Sequence, residues 1–565
     1  MCAHALRAPA TRLDLVGPAR PVEPVSGPVD LLATPERAAE LKAQAADWPS
    51  WALTPRQQGE LELLVSGAFA PLSFYASSVE LDSILARAQL PDGTPWPLPI
   101  SLDVPSDVAD AAEVAGHLAL RDPEGVLLAV VAVTERFRPD RARQLEALYA
   151  TTDPDDPGVA WWTRQTHDDR LAGPVRGIEV ATHWSFPDLR ATPARTRAQL
   201  GTDRGARPVG LATAEPLHRS EVRQAIAVLA GEGMVDSVPD PGDPPGVRTE
   251  ATAVGADDTA GDDVGDPGSR LLVLGLVGPG PGRPLDPHLL VRCWRSALAH
   301  LPGDPVLAVS PLPTYGAAAR DQQLRQIVLA NHGVVELLGV DPGPDDLSPA
   351  ALRACLESGD AFPAAFTYPD VEAELRRRYP PRRDRGLTLF LTGFSGSGKS
   401  TVAQALAARL ADRDPRAVTL LDGDRVRHHL SSELGFSRAH RDLNIRRIGF
   451  VAAEITRAGG IAICAPIAPY DEVRRDVRAM VSEAGSFVLI HVSTPLEVCE
   501  ARDRKGLYAQ ARAGTIREFT GISDPYEVPD DAELTLDTTD LSVDEAVDRI
   551  LSALEASGHL GPAPV

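Results

Sequence analysis

One stretch constrains the fold of this chain more than any other: "LTLFLTGFSGSGKSTVAQALAARLA", residues 387–411. It reads as an apolar strand, a glycine loop and a helix. That is the setting in which the pattern G-x-x-x-x-G-K-[ST] binds phosphate. Gly393, Gly396 and Gly398 let the backbone curl so that its N–H groups point inward, and the helix N-terminus adds partial positive charge. Lys399 can reach the β- and γ-phosphates, and the Ser400 hydroxyl can ligate Mg²⁺. Gly393, Ser395, Gly396, Ser397, Gly398, Lys399, Ser400 and Thr401 are therefore the candidate loop for a nucleoside triphosphate. A glycine-rich turn with a chance lysine is the bland alternative. The complete pattern in strand–loop–helix context argues against it, but does not choose between kinase, ATPase and GTPase.

A chain of 565 residues is too long for one core, so several domains are expected. Its net charge of -23 disfavours a nucleic-acid partner and requires a locally positive pocket for any nucleotide. Five cysteines (Cys2, Cys293, Cys355, Cys464, Cys499) lie scattered without a C-x-x-C pair, which fits a reducing compartment rather than a disulfide framework or zinc site. No apolar run reaches membrane-span length and the N-terminus lacks an apolar signal core, so a cytoplasmic protein without a membrane partner is expected.

Along the chain, residues 1–27 read as a flexible tail rich in Pro, Ala and Arg. Residues 28–180 are mixed: "ERAAELKAQA" (36–45) reads as helix, while "PWPLPISLDV" (95–104) and "GVLLAVVAVTERF" (125–137) read as strands. Residues 181–367 alternate helix and strand, as in "EVRQAIAVLAGEG", "RLLVLGLVG" and "DPVLAVSPL", and predict an α/β domain. An acidic Pro/Gly-rich stretch at 235–269 has little to bury and is expected to be a disordered insertion. Residues 368–386 read as a helical linker ending at a double proline, and 387–565 as a strand–loop–helix series. No internal repeat is evident.

The segment after the loop narrows its use. "AVTLLDGDRVRHHL" (417–430) is a strand ending in Asp422-Gly423-Asp424, then a helix with Arg427. A carboxylate at that strand end can hold Mg²⁺ or take a proton from a hydroxyl. Arg427 can clamp an anionic acceptor or stand as an ordinary exposed helix arginine. Arg438, Arg441, Arg446 and Arg447 then crowd ten residues of an acidic protein, which predicts an anion site in preference to a salt-bridged surface.

D-G-D-x-x-R, N-I-R-R-I-G and "KGLYAQARAGTIREFTGISDPYE" (505–527) together closely resemble the adenylylsulfate kinases, over about 170 residues. That family transfers the γ-phosphate of ATP, with Mg²⁺, to the 3′-hydroxyl of adenosine 5′-phosphosulfate (APS), giving 3′-phosphoadenosine 5′-phosphosulfate (PAPS). The resemblance implies Asp424 as base or orienter of the acceptor hydroxyl, and Ser400 with Asp422 as metal ligands. It implies Arg427, Arg441, Asn444 and Ile467 around the acceptor, and Phe436 and Phe519 sandwiching its adenine. Lys505 and Leu507 open an expected mobile lid to about residue 520, with Arg502 and Lys505 near ATP; a lid excludes water from phosphoryl transfer. The family often has serine in its I-S-P-[YH] motif, where "APIAPYDEVR" (465–474) places Ala468, so transfer is expected to be direct.

Residues 28–365 resemble ATP sulfurylase in two parts, a PUA-like domain and a nucleotidyltransferase-like α/β domain, with "LTPRQQGELELLVSGAFAPLSFY", "GPVRGIE" and "FPDLRATPARTRAQL" as the matching stretches. Its active-site pattern Q-x-R-N-P-x-H-x-x-H reads "ATAEPLHRSE" (212–221) here. Pro216 and His218 remain, but Ala212, Ala214, Glu215 and Glu221 replace the Gln, Arg, Asn and second His. G-R-D-H-A-G reads "GVDPGP" (339–344), with Val340 and Pro342 in place of Arg and His. Glutamates in an anion pocket repel sulfate by several kcal/mol when two like charges sit about 4 Å apart in a partly buried site. The expectation is an α/β multidomain chain: a PUA-like β-rich domain, a sulfurylase-like α/β domain with lost chemistry, and a parallel α/β kinase domain of the P-loop NTPase type. The partners expected are ATP, APS and further copies of the chain, as a homodimer or higher oligomer. A bifunctional sulfurylase–kinase, and a kinase gated by a nucleotide-sensing front region, are the alternatives.

Overall fold

The computed structural model describes residues 31–183, 185–202, 206–229, 270–281, 285–338, 347–364, 366–435, 437–516 and 518–561. The insertion expected at 235–269 and the "GVDPGP" stretch lie outside them. The chain divides into two compact units, one made of residues up to 346 with 363–374, the other of 347–362 with 375 onward.

The first unit carries two sheets. Strands β1 (Ser50–Ala52), β2 (Phe74–Tyr75), β3 (Leu102–Val104), β4 (His117–Arg121), β5 (Leu127–Ala132), β6 (Glu135–Phe137) and β7 (Asp169–Gly177) form a seven-stranded sheet of path β1-β4-β5-β7-β2, with β3 and β6 also on β7. Only the β1–β4 pair is parallel. Two expected strands are shortened. In 95–104 only Leu102–Val104 forms a strand, with Pro95 making a single bridge to Gln89, because Pro95, Pro97 and Pro99 supply no ladder donors. The run 125–137 breaks at Val133-Thr134, where Val133 N–H turns to Gly116 O (2.9 Å). The expected first helix is present as Pro35–Gln44, with Thr34 accepting from Arg37 N–H as its cap.

Strands β8 (Val209–Thr213), β9 (Leu271–Leu276), β10 (Val306–Ser310) and β11 (Glu336–Leu337) form a parallel sheet of order β10-β9-β8-β11. One apolar cluster runs through both sheets, from Leu64 and Trp96 to Leu274 and Val328. A buried polar network joins them too: Arg56 Nη1 donates to Glu60 (2.8 Å), Arg56 Nη2 pairs with Asp103, and the Tyr315 hydroxyl donates to Glu60 (2.7 Å). Buried charges of this kind are tolerable only when every member is paired.

The second unit holds β12 (Leu387–Thr392), β13 (Val418–Leu421), β14 (Ile461–Cys464), β15 (Ser486–Val492) and β16 (Leu534–Leu536), all parallel, in the order β13-β14-β12-β15-β16. Alternation along β12 explains its two covered faces. Leu387, Leu389 and Leu391 pack against helices Lys399–Arg413 and Val543–Ala556, while Phe390 packs against Arg438–Arg457 and Asp471–Ser482. Gly449 lets the last two helices approach closely, since a Cβ there would meet Val477 at 2.6 Å. The central position of β12 puts its C-terminal end, and the glycine loop, at the middle of the sheet edge where α/β proteins bind ligands.

Candidate active site

The glycine loop leaves β12 at Gly393 (φ 145°), where a Cβ would meet the Val492 carbonyl at 2.3 Å, so glycine is required there. Gly396 and Gly398 also have positive φ, and Gly398 caps helix Lys399–Arg413. Lys399 is buried, and its Nζ donates to Gly393 O (2.9 Å) and Phe394 O (2.6 Å). The ammonium thus sits among loop carbonyls where a phosphate would offer stronger acceptors. Burial, with Lys505's positive charge nearby, pulls its pKa down to about 8. Ser400 is exposed on the first turn beside Thr401, and the Tyr508 hydroxyl donates to Ser395 O (2.8 Å).

The loop is also held from the side. Thr538 Oγ1 and Thr494 Oγ1 donate to Ser397 O (2.9 and 3.3 Å), and Arg502 donates to Thr538 Oγ1 (3.0 Å) and Thr538 O (2.7 Å). Thr494 and Thr538 escape a sequence reading because no motif marks them. Their positions just past β15 and β16 were the available signal, since that edge of a parallel sheet carries the site.

Asp422 follows β13, and Asp424 lies in the first turn of helix Gly423–Leu430, on the same sheet edge. Arg427 Nη1 donates to Leu434 O (3.2 Å) and Gly435 O (3.1 Å). Ile467 O accepts from Thr392 Oγ1 (2.6 Å). Phe519 is half-buried, edge-on to the Tyr508 ring at 5.1 Å, while Lys505 is exposed and Leu507 opens helix Leu507–Arg512. Phe436 lies outside the described residues. Ala468 is buried with φ 43°, its carbonyl accepting from Arg474 Nη1 (2.8 Å).

The four clustered arginines separate, which corrects the expectation of one anion site. Arg446 pairs with Asp476 (2.9 Å) and Arg447 with Glu433 (2.5 Å), as surface ion pairs. Arg438 and Arg441, one turn apart on another face, gather at Tyr470 (4.1 and 5.6 Å to its ring). Arg441 Nη2 donates to Asp524 Oδ2 (2.8 Å) and the Tyr470 hydroxyl (2.9 Å), and Nη1 to Thr520 Oγ1 (3.1 Å). Arg441 Nε and Asn444 Oδ1 are both buried without a hydrogen-bond partner. One is a donor and one an acceptor, three residues apart on one helix face. Leaving such atoms unsatisfied costs about 1–3 kcal/mol each, and the pair has the complementarity of a ligand carrying both an anion and a hydroxyl or amine.

In the first unit, the stretch 212–221 forms the end of β8, a loop and the start of helix Arg219–Leu229. Ala212 and Ala214 pack on the apolar core. Glu215 O accepts from Trp294 Nε1 (2.8 Å), and the Glu221 carboxylate accepts from His218 N–H (2.7 Å), capping the helix. The His218 ring lies 4.7 Å from Phe366, and Arg219 donates to Thr367 O (3.1 Å) over the Tyr368 ring.

The chain was compared with known proteins. Residues 385–537 match the family model described as adenylylsulphate kinase, and 22–180 that of a PUA-like domain. Proteins named sulfate adenylyltransferase are similar over nearly the whole length. That of Emericella nidulans is 33% identical, covering 92% of this chain and 96% of its own. That of Neosartorya fischeri is 35% identical over 94% and 97%. A solved structure titled as a hexameric APS kinase from Thiobacillus denitrificans is 34% identical with a TM-score of 0.72, covering 96% of this chain and all of that one. Among the described residues, no helix is long and apolar enough to cross a membrane. With a full-length match to those enzymes and the kinase family model matched at residues 385–537, the chain belongs to the sulfate adenylyltransferase family, in the form that carries a C-terminal adenylylsulfate kinase domain.

Proposed function

We propose that the second unit transfers the γ-phosphoryl group of ATP to the 3′-hydroxyl of APS, and that the first unit does not activate sulfate. The observation that carries the kinase half is Arg441 Nε and Asn444 Oδ1, buried and unsatisfied in the unit that holds an intact phosphate loop. The loop amides and Lys399 hold the ATP phosphates, with Arg502 at the side of the loop. Arg427, Arg441, Asn444 and Ile467 hold the phosphosulfate and ribose, Phe519 lies against the adenine, and Lys505 with Leu507 covers the site. Asp424 accepts or orients the proton of the attacking hydroxyl. Ser400 and Asp422 offer hydroxyl and carboxylate oxygens, the hard donors that Mg²⁺ prefers, and would hold the ion that neutralises phosphate charge. Ala468 leaves no hydroxyl to phosphorylate in the APIAPY segment, so transfer passes directly between the two nucleotides.

The second half of the reading rests on Ala212, Ala214, Glu215 and Glu221, which bring apolar or acidic groups to a place where sulfate and ATP need donors. Sulfate is a weak nucleophile, and without a preorganised clamp its attack on phosphorus loses both orientation and charge stabilisation. The name carried by the full-length relatives favours a second reading, in which sulfate adenylyltransferase activity persists through a rebuilt pocket. We also place the protein in the cytoplasm as a homo-oligomer. The four described cysteines are free, as a reducing compartment allows, and the similar solved structure is titled hexameric.

The test incubates the full chain with APS plus ATP, and separately with sulfate plus ATP, and identifies the products. PAPS and ADP are expected from the first, no pyrophosphate from the second, and PAPS from sulfate once an authentic sulfurylase is added. Lys399→Ala should lower kcat at least about 100-fold. Pyrophosphate that forms from sulfate and ATP, and vanishes in His218→Ala, would establish the second reading instead.

A further inference from the structure

Arg441 is gripped along one edge by groups of the protein itself. Its Nη2 donates both to Asp524 Oδ2 (2.8 Å) and to the Tyr470 hydroxyl (2.9 Å), and that hydroxyl donates to the same Oδ2 (2.7 Å). The three groups form a closed triangle. Tyr470 is fully buried, and Arg441 and Asp524 are only 14% and 15% exposed. Burial and the Asp524 carboxylate push the phenol up to about 12, so it keeps the proton it donates. Thr520 Oγ1 takes Nη1 (3.1 Å). These bonds all fall on the two terminal nitrogens, while Nε is left buried and unsatisfied. A guanidinium is a planar fork, so fixing its terminal nitrogens fixes the direction of Nε as well.

The carboxylate that grips Arg441 also belongs to the turn that carries Phe519. Asp524 N–H donates to Phe519 O (3.2 Å), and Asp524 O accepts from Gly521 N–H (2.7 Å). Helix Arg438–Arg457 and the Phe519 turn are more than sixty residues apart in sequence, and Asp524 ties one to the other.

We propose that Asp524 and Tyr470 are positioning residues for the acceptor substrate, orienting Arg441 so that Nε meets the anionic end of APS and locking the Phe519 turn at the matching distance for its base. This rests on the reading of Arg441 as a substrate-binding residue. Neither Asp524 nor Tyr470 needs to touch APS. A carboxylate facing the substrate anion directly would repel it; with its charge spent on Arg441 and the phenol, Asp524 stiffens the cationic clamp instead. A salt bridge that served only stability would predict something different: a lower melting temperature, with the apparent affinities for ATP and APS moving together or not at all.

The experiment is steady-state kinetics of the full-length enzyme, titrating APS and ATP separately, on Asp524→Asn, Tyr470→Phe, the double variant and Arg441→Ala. Asp524→Asn keeps the side-chain shape and removes the charge. Hydrogen bonds to charged groups are strong enough that KM for APS should rise about tenfold, while KM for ATP and kcat stay within about twofold. Tyr470→Phe should raise KM for APS by about threefold, and the double variant should match Asp524→Asn alone, because both act through one arginine. If Arg441→Ala raises KM for APS and Asp524→Asn does not, the positioning role is wrong. If KM for ATP and kcat change as much as KM for APS, the triangle is structural and the proposal is also overturned. If Arg441→Ala itself leaves KM for APS unchanged, the underlying assignment of the substrate site fails first. Should Asp524→Asn not fold, Tyr470→Phe, which deletes a single oxygen, decides by the same split.

Discussion

Lys399 holds its proton loosely in the nucleotide-free protein. Burial draws its pKa from 10.5 to about 8, so between those values the unfolded chain binds more protons than the folded one, and this residue's cost to stability diminishes as pH rises through that window. Bound triphosphate reverses the shift, because negative charge favours the ammonium. ATP binding should therefore take up protons above pH 8, approaching one per site near pH 9. ATP affinity should fall by up to about tenfold per pH unit there. Calorimetric titrations in buffers of different ionisation enthalpy read this directly. The uptake should be absent in Lys399→Ala, and its persistence in that variant would assign it to another group.

Among the elements, the phosphate loop depends on side chains from two distant strand ends. Ser397 O accepts from both Thr494 and Thr538, and Thr538 also receives Arg502. Thr538→Val keeps the shape but leaves that carbonyl with one hydroxyl fewer, at a cost of about 1–2 kcal/mol. The expected result is a KM for ATP raised severalfold with KM for APS little changed; equal changes in both would place the effect on folding rather than on the loop. Here lies the limit of what sequence makes legible. Gly393, Gly398 and Lys399 announce themselves because their chemistry is local, fixed by spacing along one loop. The strands of the second unit could be read from their apolar runs. Thr538, Asp524 and Tyr470 act on residues 141, 83 and 29 positions away, and only the strand order and helix packing bring them there. The four-arginine cluster misled for the same reason. Arginines adjacent in sequence lie on different sides of helix Arg438–Arg457, and Arg446 and Arg447 find carboxylates instead of substrate.

For the whole molecule, each unit buries histidine that acid must force to charge, His332 in the first and His491 with His559 in the second. His332 in the first unit is held neutral by burial and by Arg197, and its Nδ1 meets Thr196 Oγ1 (3.0 Å). His559 in the second is held neutral by burial and by Arg382 and Arg416, and its Nδ1 meets Ser557 Oγ (2.8 Å). The pKa values of His332 and His559 both fall from 6.5 to about 4. The unfolded chain takes up these protons first, so the stability they support is intact above pH 6.5 and lost as pH drops toward 4. At pH 5 the loss is about 2 kcal/mol for each of these two. A second effect has the opposite sign: the net charge of -23 shrinks toward the isoelectric point near 5.0, which relieves self-repulsion. Exposed charges are screened beyond about 8 Å at physiological salt, whereas the buried imidazoles are not, so acid should destabilise both units on balance. Denaturant unfolding at pH 7 and pH 5 in 0.15 M salt measures the sum. His559→Gln removes the titrating group, so its stability should fall by about 2 kcal/mol less than that of the unsubstituted chain between those pH values. Parallel losses in the two proteins would show that His559 is not held neutral in the fold.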